Sequence, residues 1–178
     1  EYSYDKVGNL LEQRQNGYKT QYKYNNQNYR LLSTSYQDNS AAVAYGYDAN
    51  GNLTTATKGN ITWNYQYDEL DRLVAENLSV KDGPLLPMKV LYNYNASGNL
   101  TSMVYPDGSE LDYQPNQHGE PTKIGQYLNS INYHPNGLWQ SFNFANKVSA
   151  SSQLDQYNRL KQYKYGGLQL DYTYDSNN

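Results

Sequence analysis

The chain has 178 residues, one domain's worth of sequence, with a net charge of −3, 22 Tyr and no Cys. No Lys/Arg cluster offers the electrostatic footprint that nucleic-acid binding needs, and no apolar run reaches the ~18 residues of a membrane span. The absence of Cys excludes a disulfide framework and thiolate metal ligation, and the abundance of aromatic rings argues against a disordered chain.

The first element sets a pattern that returns along the whole chain. Tyr2-Ser3-Tyr4-Asp5-Lys6-Val7-Gly8-Asn9-Leu10 recurs as Tyr45-Gly46-Tyr47-Asp48-Ala49-Asn50-Gly51-Asn52-Leu53. It recurs again as Tyr92-Asn93-Tyr94-Asn95-Ala96-Ser97-Gly98-Asn99-Leu100. Taking the second Tyr as anchor, copies fall at Tyr4, Tyr24, Tyr47, Tyr67, Tyr94, Tyr113, Tyr133, Leu154 and Tyr174. The spacings are 20, 23, 20, 27, 19, 20, 21 and 20 residues, the signature of a repeat architecture.

Each unit reads as a β-hairpin. Tyr-x-Tyr alternates with period two, so both rings share one sheet face. Asp5, Asp48, Asp68, Asp155 and Asp175, or Asn in their place, open a turn by capping backbone N–H groups two residues on. Gly8, Gly51 and Gly98 supply the positive φ of a type I turn closed by a bulge. Leu10, Leu53, Leu73, Leu100 and Leu160 begin the return strand. Between copies, Asn16-Gly17, Gly59-Asn60, Asp107-Gly108 and Gly166-Gly167 mark second turns. Two strands per unit predicts 16 to 18 strands in one antiparallel meander, curling because broad sheets twist. No segment carries a helical period.

Departures from the pattern are expected at particular places. An insertion loop is expected near 77–89, around Gly83-Pro84 and Pro87. The turns after Tyr24 and Tyr113 read as one or two residues longer, and Tyr133-His134-Pro135-Asn136-Gly137-Leu138 as one residue shorter. Asp71-Arg72 replaces Gly-Asn, and Leu154 replaces a Tyr. Because the chain opens and closes inside repeats, we expect a single array of about nine repeats over 1–178 that is part of a longer protein.

Chemistry-bearing residues are sparse. His118 and His134, both in variant turns, have no partners at the spacing a metal or acid–base role needs. Calcium takes about six to eight oxygens, whereas each turn offers one carboxylate and often substitutes it. The Tyr rows are suited to cross-strand stacking, and also to a sugar face. Asn-x-Ser/Thr sequons at Asn52, Asn60, Asn77, Asn95 and Asn99 follow from composition. Trp63, Trp139, Phe142 and Phe144 read as packing residues. No phosphate loop, catalytic carboxylate pair or nucleophile elbow is present. We expect no catalytic, cofactor or metal site.

Tyr-x-Tyr-Asp-x-x-Gly-Asn-Leu at about 20-residue spacing resembles the YD repeat of the Rhs family, across Tyr2 to Asp175. The turn variants Tyr105-Pro106-Asp107-Gly108-Ser109 and Tyr113-Gln114-Pro115-Asn116-Gln117-His118-Gly119 resemble it too. The resemblance implies a β-sheet spiralling into a hollow shell. In bacterial Rhs and toxin-complex proteins such a shell encloses a C-terminal toxin used in competition; in teneurins a related barrel serves adhesion. It implies a parent that is bacterial and exported by a specialised secretion system or displayed at the surface. Its partners would be its own toxin and secretion components. The family's self-cleaving segment carries Asp-Pro, a dipeptide this sequence lacks, so no protease residue is carried over. The competing reading is a surface module for carbohydrate or a partner cell.

Overall fold

The computed structural model describes residues 1–38, 40–83 and 88–175, and among them the regular structure is entirely β. The strands are β1 (Tyr2–Tyr4), β2 (Leu10–Gln15), β3 (Tyr18–Tyr24), β4 (Leu31–Tyr36), β5 (Val43–Tyr47), β6 (Leu53–Lys58), β7 (Ile61–Tyr67) and β8 (Leu73–Val80). They continue as β9 (Met88–Tyr94), β10 (Leu100–Val104), β11 (Glu110–Asp112), β12 (Leu128–Tyr133), β13 (Trp139–Phe144), β14 (Ser149–Leu154), β15 (Leu160–Tyr165) and β16 (Leu168–Asp171). No helix is long and apolar enough to cross a membrane among the described residues, which leaves strand-built membrane structures unaddressed.

Strand order is sequence order: β1 to β11 in one sheet and β12 to β16 in another. Every pairing with a resolved register is antiparallel. The single meander expected from the repeat is thus interrupted after β11. There the ladder thins to isolated bridges, Pro115 opposite Pro121 and Ile124 opposite Leu128. Proline has no N–H to donate, so two facing prolines cannot extend a ladder.

The chain divides into two compact units, residues 1–91 and 92–178, the division falling inside β9. In the first, Thr34, Ala56 and Ala75 are buried; in the second, Ser102, Ile131, Ala150 and Ser152 are. Apart from Ile131 these buried positions are small, because a thin hairpin layer leaves little room beneath its rings. Ala56 lies opposite Tyr45, and Ser152 opposite Tyr163. The second unit adds an aromatic cluster: Trp139 lies 5.1 Å from Phe142 and 5.8 Å from Tyr163, and Phe144 lies 6.0 Å from Tyr165. These near-perpendicular or tilted ring pairs are the favoured geometry.

The insertion expected near 77–89 is only partly within the described residues. Residues 77–80 end β8, 81–83 turn, and 88–89 begin β9, while 84–87 lie outside.

Candidate functional site

The repeated corner is the one constellation the sequence multiplies, and it is built from a five-residue turn. The Asp5 N–H donates to the Asn9 carbonyl and the Gly8 N–H to the Asp5 carbonyl. The same pair of bonds closes 48–52, 68–72, 95–99, 116–120, 134–138 and 155–159. Gly8, Gly51 and Gly98 hold φ of +94°, +103° and +83° there. Asp71 and Asn158 take that place at +58° and +61°; Asp and Asn tolerate this left-handed region better than other side chains. Around Asn25 the turn is one residue longer, with Tyr29 at +56°.

The acid at the head of the corner grips the turn from inside. Asp5 Oδ1 accepts the N–H groups of Val7 and Asn9, and Oδ2 accepts Asn9 Nδ2 at 2.8 Å. Asp48 does the same with Gly51 and Asn52. In Asp68 and Asp155 the second oxygen takes an arginine instead, Arg72 Nε at 2.7 Å and Arg159 Nε at 2.8 Å. Where Asn116 heads the corner, the polarity reverses and its Nδ2 donates to Glu120 Oε2. The substitution of Asp-Arg for Gly-Asn is therefore a matched pair, with the first and fifth turn residues complementary in charge.

These bonds set the carboxyl chemistry. The Arg72 side chain, then its backbone N–H, holds the Asp68 carboxyl below the usual carboxylate range. For Asp48, burial pushes upward, but donors from Asn52, Gly51 and Asn50 outweigh it and the carboxyl titrates low. On β2 and β3, Lys19 and then Arg14 bring Glu12 down to about 2.

At five corners the register slips beside the second Tyr, as at Gly46/Tyr47 and Gln66/Tyr67, and at a sixth beside Leu154 in its place. Tyr4 faces Leu10, Tyr24 faces Leu31, Tyr47 faces Leu53 and Tyr67 faces Leu73, and the residue after each Leu has no opposite number. Such a bulge locally disrupts the ladder and adds twist. The carbonyl preceding it is then met by the next repeat. Tyr47 Oη donates to the Leu31 carbonyl at 3.0 Å, Tyr67 Oη to Leu53 at 3.0 Å and Tyr174 Oη to Leu160 at 2.8 Å. Burial pushes the hydroxyls of Tyr47 and Tyr67 up, which keeps them protonated donors at neutral pH.

The corners also touch one another. Arg30 Nη1 donates to the Asp48 carbonyl at 2.9 Å while its guanidinium sits 5.8 Å from the Tyr47 ring centre. A Cβ on Gly51 would stand 2.5 Å from Arg30 Nη2, and one on Gly119 would stand 2.8 Å from Asn99 Oδ1. The corner glycine thus provides both a positive φ and room for the previous corner. Asn50 and Asn52 reach the next corner at Asp71, with Nδ2 to Oδ1 distances of 2.9 and 2.6 Å.

The structure moves one copy and lengthens the turn of another. Asn116, not Gln114, heads its corner, so Pro115 occupies the second-Tyr place and Tyr113 the first. Tyr133 Oη accordingly donates to Pro121, the residue in the Leu place. The Tyr133 turn is of full length: His134 heads it, and Leu138 takes the Asn place. Trp139 then faces Tyr133 where a Leu was expected. Both differences have one cause, since backbone bonding sets the corner and the ring does not. Tyr94 ends β9, Gly98 turns and Leu100 opens β10, and Asp175 is the last described residue.

Residues outside the motif complete the ladder. Ser152, Arg30 and Glu120 carry bonds that the repeat did not flag; for Arg30 and Glu120 the readable signal was the position just before the Leu place, and for Ser152 there was none. His118 and His134 line one open groove with Glu120 and Tyr133, of about 520 Å³. Among the described residues no cluster of three or more His, Asp or Glu could hold a metal ion.

The class of fold defined by this geometry is an antiparallel β-sheet of hairpin repeats, whose Tyr-Asp corner resembles the YD repeat of the Rhs type. No family model matches the chain. It is 29% identical over 169 residues, 93% of this chain, to the tRNA3(Ser)-specific nuclease WapA of Bacillus spizizenii. It matches crystal structures of TcdB2-TccC3-Cdc42 and TcdB2-TccC3-TEV with TM-scores of 0.77 and 0.75, at 13% and 14% identity over 98% of this chain. A Photorhabdus luminescens Tc holotoxin pore structure matches at TM-score 0.56 and 15% identity over 91%. The chain spans 7% of the length of the nuclease and 11% of the toxin-complex chains. These matches agree with the family resemblance carried by the repeat, and the solved structures share its fold.

Proposed function

We propose that this chain is a non-catalytic wall segment, one array of about nine repeats, in a shell that encloses a toxin carried by the same parent protein. The observation that carries the reading is the ladder of Tyr hydroxyls bonded to the carbonyl of the preceding corner. Its chemistry is spent on joining neighbours, as a continuous barrier requires. The resemblance to a nuclease and to toxin-complex structures, each matched over a small share of its length, supports a wall that accompanies a separate effector. On this reading the parent is bacterial, is exported or displayed at the cell surface, and meets secretion components as well as its own cargo.

The test is protease protection in the full parent. Cargo downstream of the repeats should resist added protease while the wall is intact. It should become cleavable when Tyr47→Phe and Tyr67→Phe loosen the ladder. Cargo that is cut equally in both proteins, or a parent that consists of repeats throughout, would sink the proposal.

A second reading, a carbohydrate- or partner-binding surface, has one observation in its favour. Tyr105, Tyr127, Gln126 and Glu110 line an open groove of about 570 Å³, with Tyr127 59% exposed. Sugar titrations against Tyr127→Ala and the parent chain separate the two readings.

A further inference from the structure

The sequence holds three Asn-Gly dipeptides, and the fold treats them differently. Asn50-Gly51 is tied down on both sides. The Gly51 N–H donates to Asp48 Oδ1 at 2.8 Å and lies 3.2 Å from the Asp48 carbonyl, while Asn50 Nδ2 donates to Asp71 Oδ1. In Asn136-Gly137 the Gly137 N–H donates to the His134 carbonyl at 2.9 Å, and Asn136 Oδ1 accepts the Leu138 N–H. Asn16-Gly17 joins β2 to β3 as a two-residue turn, with φ of +51° and +82°. Both residues are exposed, nothing lies within 4 Å of a Cβ built on Gly17, and neither the Gly17 N–H nor the Asn16 amide has a hydrogen-bond partner among the described residues.

We infer that Asn16 is a site of spontaneous, self-catalysed deamidation, and that the corner bonds protect Asn50 and Asn136 from the same reaction. The Gly17 backbone nitrogen attacks Asn16 Cγ. The N–Cγ bond forms, the Cγ–Nδ2 bond breaks, and ammonia leaves with the proton from the Gly17 N–H. Water then opens the five-membered imide at either carbonyl, giving aspartate or isoaspartate at position 16. No oxidant or cofactor takes part. The attack needs a free glycine nitrogen and a free amide carbon, and a hydrogen bond held by either group opposes it. Gly offers no Cβ to hinder ring closure. The product adds a negative charge, and the isoaspartate form lengthens the backbone inside a turn whose two residues set the β2–β3 register.

The test is timed incubation of the folded chain in mildly alkaline buffer, with peptide mass mapping of all three dipeptides. Conversion at Asn16 should outrun Asn50 and Asn136 several-fold, and the three rates should converge in denaturant. Asp71→Gly, which keeps the left-handed backbone but removes the acceptor for Asn50 Nδ2, should speed conversion at Asn50 and leave Asn16 unchanged. Equal rates at the three sites in the folded chain would overturn the inference. So would conversion at Asn16 no faster than at the two protected sites.

Discussion

Ser152 Oγ donates a 2.7 Å hydrogen bond to the carbonyl of Trp139. Trp139 stands in the Leu place of its corner, where a Tyr hydroxyl from the next repeat would ordinarily arrive. The next repeat has Leu154 at that position, which has no hydroxyl. A buried serine two residues earlier supplies the missing donor, and His134 Nε2 stands 3.2 Å from the Ser152 carbonyl.

Ser152→Ala is therefore expected to lower stability by about 1 kcal/mol, the net worth of one hydrogen bond with an acceptor left behind. Ser151→Ala, next to it, should cost less. Leu154→Tyr restores the repeat's own donor and should recover most of the loss in the Ser152→Ala background. Urea unfolding of the single and double variants measures this. Simple additivity, without rescue, would refute the equivalence of Ser152 and the absent ring hydroxyl.

Tyr47→Phe and Tyr67→Phe each remove one link between repeats and should each cost about 0.5–1.5 kcal/mol. Tyr18, 70% exposed, serves as the control, and Tyr18→Phe should be silent. Because each link joins neighbouring repeats, the two losses should show as earlier local opening near their own corners. Hydrogen exchange across β4 to β7 reads this directly.

Gly51→Ala should destabilise more than Gly8→Ala. Both glycines have strongly positive φ, so the backbone cost is shared. Only at Gly51 does the new methyl meet a neighbour, the Arg30 guanidinium, which must swing away from the Asp48 carbonyl and the Tyr47 ring. The difference between the two variants should be about 1 kcal/mol and should shrink in an Arg30→Ala background. Thermal melts of the four proteins settle it.

Stability should fall in acid with a defined contribution from Glu12. Lys19, then Arg14, lowers its carboxyl from the ordinary 4.5 to about 2. A carboxyl depressed in the folded state stabilises folding at every pH above its unfolded value. That contribution is lost as pH falls from about 4.5 towards 2. Glu12→Gln should flatten this part of the melting-temperature profile, and added salt should shrink the difference because the pair is exposed. Asp68→Asn should act in the same direction, since Arg72 holds that carboxyl low as well.

Much of this architecture was legible before the fold. Tyr-x-Tyr, a capping Asp or Asn and a Gly three positions after it describe a hairpin corner from neighbouring residues alone, and the corners at Asp5, Asp48 and Asn95 lie where the pattern puts them. The copy at Tyr113 was misplaced, and the turn after Tyr133 was read one residue short, because the ring and the Leu are the visible marks of a corner but not its cause. His134 heads a turn without being an acid, and Trp139 opens a strand without being a leucine. The break after β11 was hidden too, because Pro115 and Pro121 become facing residues only once the corner between them closes.

The sequence by itself determined the hairpin unit, its period and its turn chemistry, since those depend on side chains and N–H groups within about five residues of each other. Only the tertiary structure decided which carbonyl each Tyr hydroxyl meets, which glycine makes room for a neighbouring corner and which Asn-Gly amide stays free. Those outcomes join residues 12 to 21 positions apart, or depend on whether such a join exists, as between Tyr67 and Leu53, or Asn50 and Asp71. They follow from register and bulge position, and a one-residue slip in either would send every such side chain to a different partner.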